Sequence, residues 1–205
     1  MIRIYRDNKT PYKILNQISK SLEDGELAVL PTDTRYTLAC DALNVGSVEK
    51  LARLKCIDPM KSTFAFICAN ISQASEYVKL DNDAFRLIKN NTPGPYTFIL
   101  PTSSSLPKIY KGRKELGIRI PQHPFLLELI DYFGRPLTGF SLPINNDISR
   151  DEAYGYHPEL IEELWGHIAP TIIDDGIGQL IESAIIDCTK EPYEIIREGP
   201  IPLKQ

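Results

Sequence analysis

Side chains suited to holding an anion or a small polar substrate recur where predicted strands end. They are the run Thr32-Asp33-Thr34 and the single residues Arg119, Ser141 and Arg197. A guanidinium offers paired hydrogen-bond donors to a phosphate, and hydroxyl groups can orient a polar ligand or a metal-bound phosphate. In open α/β sheets, ligands bind beyond the carboxyl ends of strands. The pattern therefore favours a phosphate-containing ligand, with Lys55 at a predicted helix end as a further cation.

Each of these residues also has a purely structural interpretation. The hydroxyl and carboxyl groups of residues 32–34 can equally cap the segment that follows them. Arg119 and Arg197 can be surface strand residues paired with acids, which on spacing alone is the better-supported interpretation. Lys55 can simply complement the dipole of its helix. Spacing alone therefore leaves the function open.

Common phosphate-binding and hydrolase motifs are missing from the sequence. It contains no G-x-x-x-x-G-K-[ST] loop and no G-x-G-x-x-G run, which disfavours the common phosphate-loop folds. Ser141 lacks the G-x-S-x-G turn that presents the nucleophile of α/β hydrolases, so a Ser-His-Asp hydrolase is unpromising.

The cysteines and histidines do not suggest a metal site. None of the four cysteines lies in a C-x-x-C pair, and the three histidines are widely spaced. Cys40, Cys68 and Cys188 adjoin apolar runs, which favours buried free thiols. Cys56 lies in a polar segment and is the candidate for a reactive thiol.

Periodicity predicts strands and helices that alternate along the chain. The predicted strands are residues 2–5, 27–30, 63–68, 96–100, 116–120, 136–140, 171–173, 184–187 and 194–197. The predicted helices are residues 12–22 (closed by Gly25), 47–55, 83–91, 124–132 (closed by Gly134) and 159–165. Ser47 is the predicted cap of the second helix, Phe85 and Ile88 are predicted to face the core, and residues 145–157 are predicted to form a loop. The pattern indicates one domain over residues 1–205, of the α/β or α+β class with a mixed sheet.

Composition and charge narrow the class of protein. Hydrophobic residues make up 42% of the 205 positions and charged residues 24%, the usual balance for a soluble globular protein that needs no disulfide or metal. No apolar run is long enough to cross a bilayer, and the start of the chain lacks the apolar stretch of a secretory signal. We therefore expect a cytoplasmic protein.

The net charge of −4 is unevenly distributed along the sequence. Residues 50–119 carry 12 basic and 5 acidic side chains, a net +7, whereas residues 151–205 carry 3 basic and 12 acidic ones, a net −9. This asymmetry is typical of a protein with one side facing a polyanion and an acidic opposite side.

Five segments of the chain match, in order, the motifs of one known family. Residues 25–41, GELAVLPTDTRYTLACD, are similar to its opening signature, roughly G-x-(apolar)-P-T-D-T-x-Y-G-L. The further matches are Leu54-Lys55, TPGPYTFIL at residues 92–100, GIRIP at residues 117–121 and IREG at residues 196–199. Over roughly residues 10–200 the chain therefore resembles the YrdC-like superfamily. AFRLIKNNTPG at residues 84–94 looks especially like its YciO-type branch.

This resemblance implies a fold, a reaction and a set of site residues. The fold is an open, twisted mixed sheet with flanking helices and a concave cleft. The reaction is that of a nucleotidyltransferase, the threonylcarbamoyl-AMP synthase, which uses threonine, bicarbonate and ATP with Mg²⁺ to serve the modified adenosine beside tRNA anticodons. By motif, the threonine-binding residues are Thr32, Thr34 and Tyr36, and the phosphate-binding residues are Lys55, Arg119, Ser141 and Arg197. Of these, the catalytic residues are Lys55, Ser141 and Arg197.

The chain departs from the synthase pattern at three places. Synthases usually have a K-x-R pair where this chain has Lys55-Cys56-Ile57, and an S-x-N motif where it has Ser141-Leu142-Pro143. Thr37 replaces the glycine of the opening signature. Asn145 and Asn146 are the candidates for replacing the missing asparagine, provided that the loop bends suitably.

An alternative function is binding of structured RNA, such as tRNA or ribosomal RNA, without synthase activity. The basic residues of the 50–119 segment would then contact the RNA. Double-stranded RNA is recognised mainly through its shape and backbone, so a positive concave face would suffice. Such binding should weaken steeply as salt is added.

Overall fold

The computed structural model describes residues 1–4, 9–58, 64–143 and 152–204. Within these ranges the backbone forms ten strands and six α-helices. The strands are β1 (Ile2–Arg3), β2 (Ala28–Leu30), β3 (Thr37–Asp41), β4 (Phe66–Ile67), β5 (Tyr96–Pro101), β6 (Glu115–Arg119), β7 (Leu137–Ser141), β8 (Thr171–Asp174), β9 (Ala184–Asp187) and β10 (Glu194–Arg197). The helices are α1 (Tyr12–Glu23), α2 (Val45–Leu54), α3 (Ile71–Ser75), α4 (Asn82–Asn91), α5 (Pro124–Phe133) and α6 (Pro158–Trp165).

The strands of the described residues make one mixed sheet in the order β1-β8-β2-β3-β7-β4-β6-β5-β9-β10. The sheet contains parallel pairs (β1/β8, β2/β8, β4/β6 and β5/β9) and antiparallel pairs such as β3/β7 and β9/β10. The mixed α/β fold expected from the sequence is confirmed. This strand order brings β3 and β7 side by side although about a hundred residues separate them.

Helices cover both faces of the sheet, and two hydrophobic clusters fill the space beneath them. Successive residues of a strand point to opposite faces. In β2, Val29 accordingly joins one cluster and Leu30 joins the other. The Leu30 cluster includes α1 and α5, through residues such as Leu22 and Leu129. The Val29 cluster includes α2 through Leu51, so the sheet is packed on both sides.

Two of the predicted helices form as their sequence patterns indicate. In α1, Leu15, Ile18 and Leu22 are buried along one face. Pro124 opens α5, where its missing N–H costs no helical hydrogen bond, and Gly134 closes the helix in the left-handed conformation at φ 70°. Among the helices in the described part of the chain, none is long and apolar enough to span a membrane.

The predicted cap of α2 is wrong. Asn44, not Ser47, caps this helix: its side-chain oxygen accepts a hydrogen bond from the Ser47 N–H at 3.2 Å. Ser47 is therefore already in the first turn, where it is buried. Asparagine and serine cap helices about equally well, so the sequence offered two neighbouring candidates.

The predicted orientation of Phe85 in α4 is also wrong. This helix begins at Asn82 and turns Ala84 and Ile88 toward the core, one above the other at the i, i+4 spacing. Phe85 is 42% exposed. Two elements, β3 and α3, were not predicted. Residues 145–151 of the predicted 145–157 loop lie outside the described residues.

The prediction of three buried free thiols is confirmed for Cys40, Cys68 and Cys188. Cys56 is exposed, and its reactivity stays a prediction. Burial raises the pKa of the Cys40 and Cys68 thiols well above the usual range. Burial, helped by the charge of Asp187, raises the pKa of Cys188 to about 12. The three buried cysteines therefore remain protonated and unreactive at neutral pH.

Asp81 gives a testable stability contribution at the start of α4. Its carboxylate accepts hydrogen bonds from the N–H groups of Asp83 and Ala84 and from the hydroxyl of Tyr193. The Ala84 bond is the main cause that lowers the Asp81 pKa. We expect Asp81→Ala to reduce the free energy of unfolding by about 1 kcal/mol at neutral pH, and Asp81→Asn, which keeps an acceptor, to cost less.

The pH dependence of this effect follows from the direction of the pKa shift. A carboxylate whose folded pKa is lowered stabilises the fold above its unfolded pKa, near 4, and loses that contribution as the pH falls through the folded value. The stability gap between wild type and Asp81→Asn should therefore narrow on acidification from neutral pH to about pH 3. Urea titrations of both proteins across this range measure it, and a gap that widens in acid would contradict the assignment.

Candidate functional site

A cleft of about 470 Å³ brings together three of the predicted site residues, Lys55, Ser141 and Arg197. Lys55 directly follows α2, Ser141 ends β7 and Arg197 ends β10. These positions are far apart in the sequence, so the fold itself creates their proximity. The volume lies in the range of pockets that bind small molecules.

Lys55 and Ser141 are held by α2 and the central strands. The backbone N–H of Lys55 donates to the carbonyl of Leu51 and closes the helix. Its ammonium lies 4.8 Å from the centre of the Phe140 ring, a cation–π contact that steers the side chain toward the cleft. Ser141 pairs with Thr37 across β7 and β3, which fixes its position at the end of the strand.

Arg197 is anchored by the residues that precede β9. Its Nε donates to the Ser183 carbonyl at 2.9 Å, and its Nη1 donates to Oε2 of Glu182 at 2.6 Å. Ser183 is itself buried and shares a hydrogen bond with the Thr97 hydroxyl of β5. Burial lowers the pKa of Arg197, although the guanidinium stays charged at neutral pH.

Arg35 is a cleft residue that sequence reasoning missed. It lines the same cleft, and its Nη2 is bonded to Oε1 of Glu182. Burial, and then the charge of Arg197, lowers the pKa of Arg35. Its position within T-D-T-R-Y is the variable one of the motif, so only the charge of the side chain could have drawn attention to it.

The cleft combines a positive side with an apolar side. Among the described residues, the charged lining side chains are Arg35, Lys55, Arg197 and Glu182, which together carry a formal charge of +2. Its apolar lining residues are Leu54, Phe140, Pro143 and Trp165. Such an arrangement suits a ligand with an anionic part and a flat or apolar part.

Arg119 occupies a different place from these cations. It lies buried beneath the turn of residues 32–34, where its Nη2 donates to Oδ1 of Asp33 at 2.5 Å and to the Thr34 hydroxyl at 2.7 Å. It does not line the cleft that contains Lys55. A phosphate contact by Arg119 stays a prediction, and its observed contacts give it the role of positioning the turn.

The three predicted threonine-binding residues also take part in local structure. The Thr32 hydroxyl donates to the Arg35 carbonyl at 2.8 Å and accepts from the Thr34 N–H at 3.0 Å, which closes the turn. Thr34 is buried. The buried Tyr36 hydroxyl donates to the Gly176 carbonyl at 2.8 Å and accepts from the Asp175 N–H at 3.1 Å. Direct contact of these side chains with threonine stays a prediction.

The structure accounts for one of two departures from the synthase pattern, Thr37, whereas the replacement of the S-x-N asparagine lies outside the described residues. Thr37 is buried in β3, and its hydroxyl contacts the Arg35 carbonyl at 3.3 Å, so it supports the turn. Asn145 and Asn146, the candidates for the missing asparagine, lie outside the described residues.

A second cleft of about 700 Å³ adjoins the same turn. Thr32 and Asp33 line it, whereas Arg35 lines the first cleft. Its polar lining includes His123, whose Nε2 lies 3.0 Å from Oδ2 of Asp175. Residues 32–35 thus contribute to the walls of both clefts.

Neither a metal centre nor an RNA-binding surface is evident from the described ranges. Within them, no three His, Cys, Asp or Glu side chains are grouped so that they could hold a metal ion. Two basic residues of the 50–119 segment are used internally: Arg119 is buried, and Arg113 stacks on the Tyr110 ring at 4.7 Å. RNA binding by this segment stays a prediction.

Comparisons with known proteins find a matching family and solved structures of the same fold. The Sua5/YciO/YrdC family model, described as telomere recombination, matches residues 20–199. YciO of Escherichia coli is 32% identical over 198 residues, which is 96% of this chain and 93% of YciO. The crystal structure of E. coli YciO aligns with a TM-score of 0.84 and 29% identity, over 99% of this chain and 96% of that chain.

A named enzyme is similar over most of this chain. The threonylcarbamoyl-AMP synthase of Pyrococcus abyssi is 30% identical over 187 residues, which is 90% of this chain and 53% of the synthase. This chain therefore spans about half the length of that enzyme. The crystal structure of P. abyssi Sua5 complexed with L-threonine aligns with a TM-score of 0.81 and 25% identity, over 98% of this chain and 57% of that chain.

Proposed function

Since the chain belongs to the Sua5/YciO/YrdC family, we propose that it is a threonylcarbamoyl-AMP synthase, which joins threonine, bicarbonate and ATP. The observation that carries this proposal is the convergence of Lys55, Ser141 and Arg197 on one cleft beside an apolar wall. The cations suit the phosphates of ATP, and Trp165 and Phe140 suit its base. The product would supply the threonylcarbamoyl group for modification of a tRNA adenosine.

The reaction requires one new bond to the α-phosphorus of ATP. Threonine and bicarbonate first combine to a carbamate with loss of water. A carbamate oxygen then attacks the α-phosphorus, and the bond between that phosphorus and the pyrophosphate group breaks. Negative charge accumulates on the departing pyrophosphate, so the protein contributes mainly by positioning and by electrostatic stabilisation.

The cleft residues have distinct roles in this scheme. Lys55 and Arg197 stabilise the charge on the leaving pyrophosphate, and Ser141 donates a hydrogen bond to a phosphate oxygen. Mg²⁺ arrives as part of the ATP complex, bound to phosphate oxygens.

Threonine is assigned to the neighbouring turn of residues 32–36. Thr32 lines the second cleft, whereas Thr34 and Tyr36 hold the shape of the turn through their hydrogen bonds. The P. abyssi Sua5 structure with L-threonine supports a threonine site in a fold of this kind.

Product formation tests the proposal directly. Purified protein with ATP, Mg²⁺, L-threonine and bicarbonate is expected to release pyrophosphate and form the adenylate. Chromatography measures the amount of adenylate formed over time. Lys55→Ala should lower the rate at least tenfold, because a charge-assisted hydrogen bond contributes about 1.5–3 kcal/mol. Lys89→Ala is the matched control, since Lys89 is an exposed lysine on α4, which does not line this cleft.

Omission of each substrate provides the second control. Pyrophosphate release that continues without threonine or bicarbonate would identify a different ATP-consuming reaction. Absence of the adenylate with all substrates present would refute the proposed activity.

A further inference from the structure

The carboxylate of Glu182 is shared by two guanidiniums of the cleft. Its Oε1 is bonded to Nη2 of Arg35, and its Oε2 accepts from Nη1 of Arg197 at 2.6 Å. Arg35 belongs to the turn that follows β2, whereas Arg197 ends β10. One carboxylate therefore joins two parts of the fold that would otherwise repel each other.

The charges in this cluster are not balanced. Two guanidiniums meet one carboxylate, and the ammonium of Lys55 lines the same cleft. The effect is visible at Arg35, whose pKa is lowered by burial and by the charge of Arg197. Its Nε is buried and has no hydrogen-bond partner among the described residues. Among the described residues, the cluster thus has more positive than negative charge and one buried donor without an acceptor.

Glu182 is also the partner that can leave most easily. Its side chain is 45% exposed, whereas that of Arg35 is 11% exposed. Ion pairs with a solvent-exposed partner contribute little, because water and salt screen them. A phosphate group carries nearly twice the charge of a carboxylate and three acceptor oxygens. It can therefore bond to both guanidiniums at once and replace the carboxylate at little cost.

Resting on the proposed function, we propose that Arg35 is a phosphate-binding residue of this cleft. With Arg197 it forms a clamp for the phosphates of the nucleotide. Glu182 holds the two guanidiniums in position in the free protein, and a phosphate group displaces its carboxylate on binding. The described residues then offer the ligand three cations: Arg35, Lys55 and Arg197.

The competing explanation is that Arg35 only neutralises Glu182 and fastens the turn to the segment before β9. The two explanations make opposite predictions for Glu182→Gln. In a clamp, this substitution removes a competitor of the phosphate and strengthens binding. If Arg35 has only a structural role, the same substitution destabilises the cleft wall, and the affinity for phosphate ligands stays unchanged or falls.

Calorimetric titration with inorganic pyrophosphate, and separately with Mg²⁺ and ATP, distinguishes the two. We expect Arg35→Ala to weaken binding of both ligands about tenfold or more, the loss typical of a charge-assisted contact. Arg35→Lys should retain part of the affinity, since it keeps the charge but not the paired donors. Glu182→Gln should raise the affinity about two- to fivefold, which corresponds to the free energy that a surface ion pair usually contributes. Arg86→Ala, which breaks an exposed pair with Asp83, is the control and should change nothing.

The possible outcomes separate this inference from the proposed enzyme activity. Affinity for pyrophosphate that falls in Lys55→Ala and Arg197→Ala but not in Arg35→Ala would overturn the role of Arg35 and leave the cleft assignment intact. Weaker binding by Glu182→Gln, in a protein that melts like wild type, would also overturn the clamp. Clamp-dependent binding without any adenylate product would support the clamp and reject the synthase. No binding of either ligand by wild type would reject both.

Discussion

Replacing Arg119 with alanine is expected to lower the free energy of unfolding by about 3–5 kcal/mol, the cost of removing one partner of a buried ion pair. The side chains of Arg119 and Asp33 are each 9% exposed, and Nη2 of Arg119 lies 2.5 Å from Oδ1 of Asp33. The same guanidinium also donates to the hydroxyls of Thr32 and Thr34. Its removal leaves the Asp33 carboxylate with too few hydrogen-bond donors, and this accounts for most of the expected loss in the free energy of unfolding.

Activity should fall together with stability. The turn of residues 32–34 leads directly into Arg35 and β3, and Arg119 is the residue that ties this turn to β6. Without it, Thr32 and Arg35 lose their fixed positions at the two clefts. We therefore expect Arg119→Ala to abolish the adenylate-forming activity even at temperatures where the protein remains folded.

A double-mutant cycle isolates the ion pair from simple loss of packing. Chemical denaturation of Arg119→Met, Asp33→Asn and the double variant should show that the double variant loses less stability than the two single losses added together. Asp33 also accepts the Gln122 N–H, so Asp33→Asn retains a partner for that group. Arg86→Ala, at an exposed pair, should cost less than about 0.5 kcal/mol. A loss that small for Arg119→Ala would show that the pair is not structural.

Most of the sheet could be predicted because its strands are short apolar runs bounded by turn residues. Nine of the ten strands in the described residues overlap a predicted strand. The exception, β3, begins directly after the T-D-T-R-Y run, and all five of its residues are buried. A strand buried on both faces shows no alternation between polar and apolar residues, so periodicity could not reveal it.

The sequence predicted which polar and charged residues belong to the site, but it did not predict which groups each of them contacts. Lys55, Ser141 and Arg197 were identified by motif, and the structure brings them together. Arg119 belonged to the same predicted set, yet it is paired with Asp33 beneath the turn. Which cation faces a ligand and which faces a carboxylate depends on strand order, and the sequence does not display that order.

The missing K-x-R arginine illustrates a further limit of position-by-position comparison. Ile57 occupies that place and packs against the hydrophobic core. A guanidinium nevertheless lines the cleft, supplied by Arg35 from a different part of the fold. Charge in a binding site is set by which side chains converge in space. A motif that has lost a residue can therefore keep its electrostatics when another element supplies the charge.

The second large effect is expected from Gly139→Ala in β7. Gly139 lies opposite Ala39 in the pairing of β3 with β7. A Cβ atom added there would lie well inside contact distance of the Leu38 carbonyl oxygen and 3.0 Å from the Ala39 Cα. Both neighbours are backbone atoms of a central strand, which cannot rotate away. We expect a loss of about 3 kcal/mol in the free energy of unfolding, the upper end of overpacking effects.

The functional consequence follows from where these two strands end. β3 begins just after Arg35, and β7 ends at Ser141, so the pairing of the two strands sets the distance between two walls of the cleft. Pushing the strands apart should weaken pyrophosphate binding as well as stability, because Ser141 and Arg35 then no longer face the same ligand atoms.

Gly46→Ala is the matched control for this substitution. Gly46 lies in α2, where an added Cβ meets only the Asn44 side chain at an ordinary distance of 3.5 Å. Alanine is the better helix former, so this variant should be as stable as wild type or more stable by up to about 1 kcal/mol. Thermal and urea denaturation of both variants, with pyrophosphate titration of each, measure the contrast. If Gly139→Ala unfolds like Gly46→Ala and binds pyrophosphate normally, the close approach of β3 and β7 is not what positions the cleft.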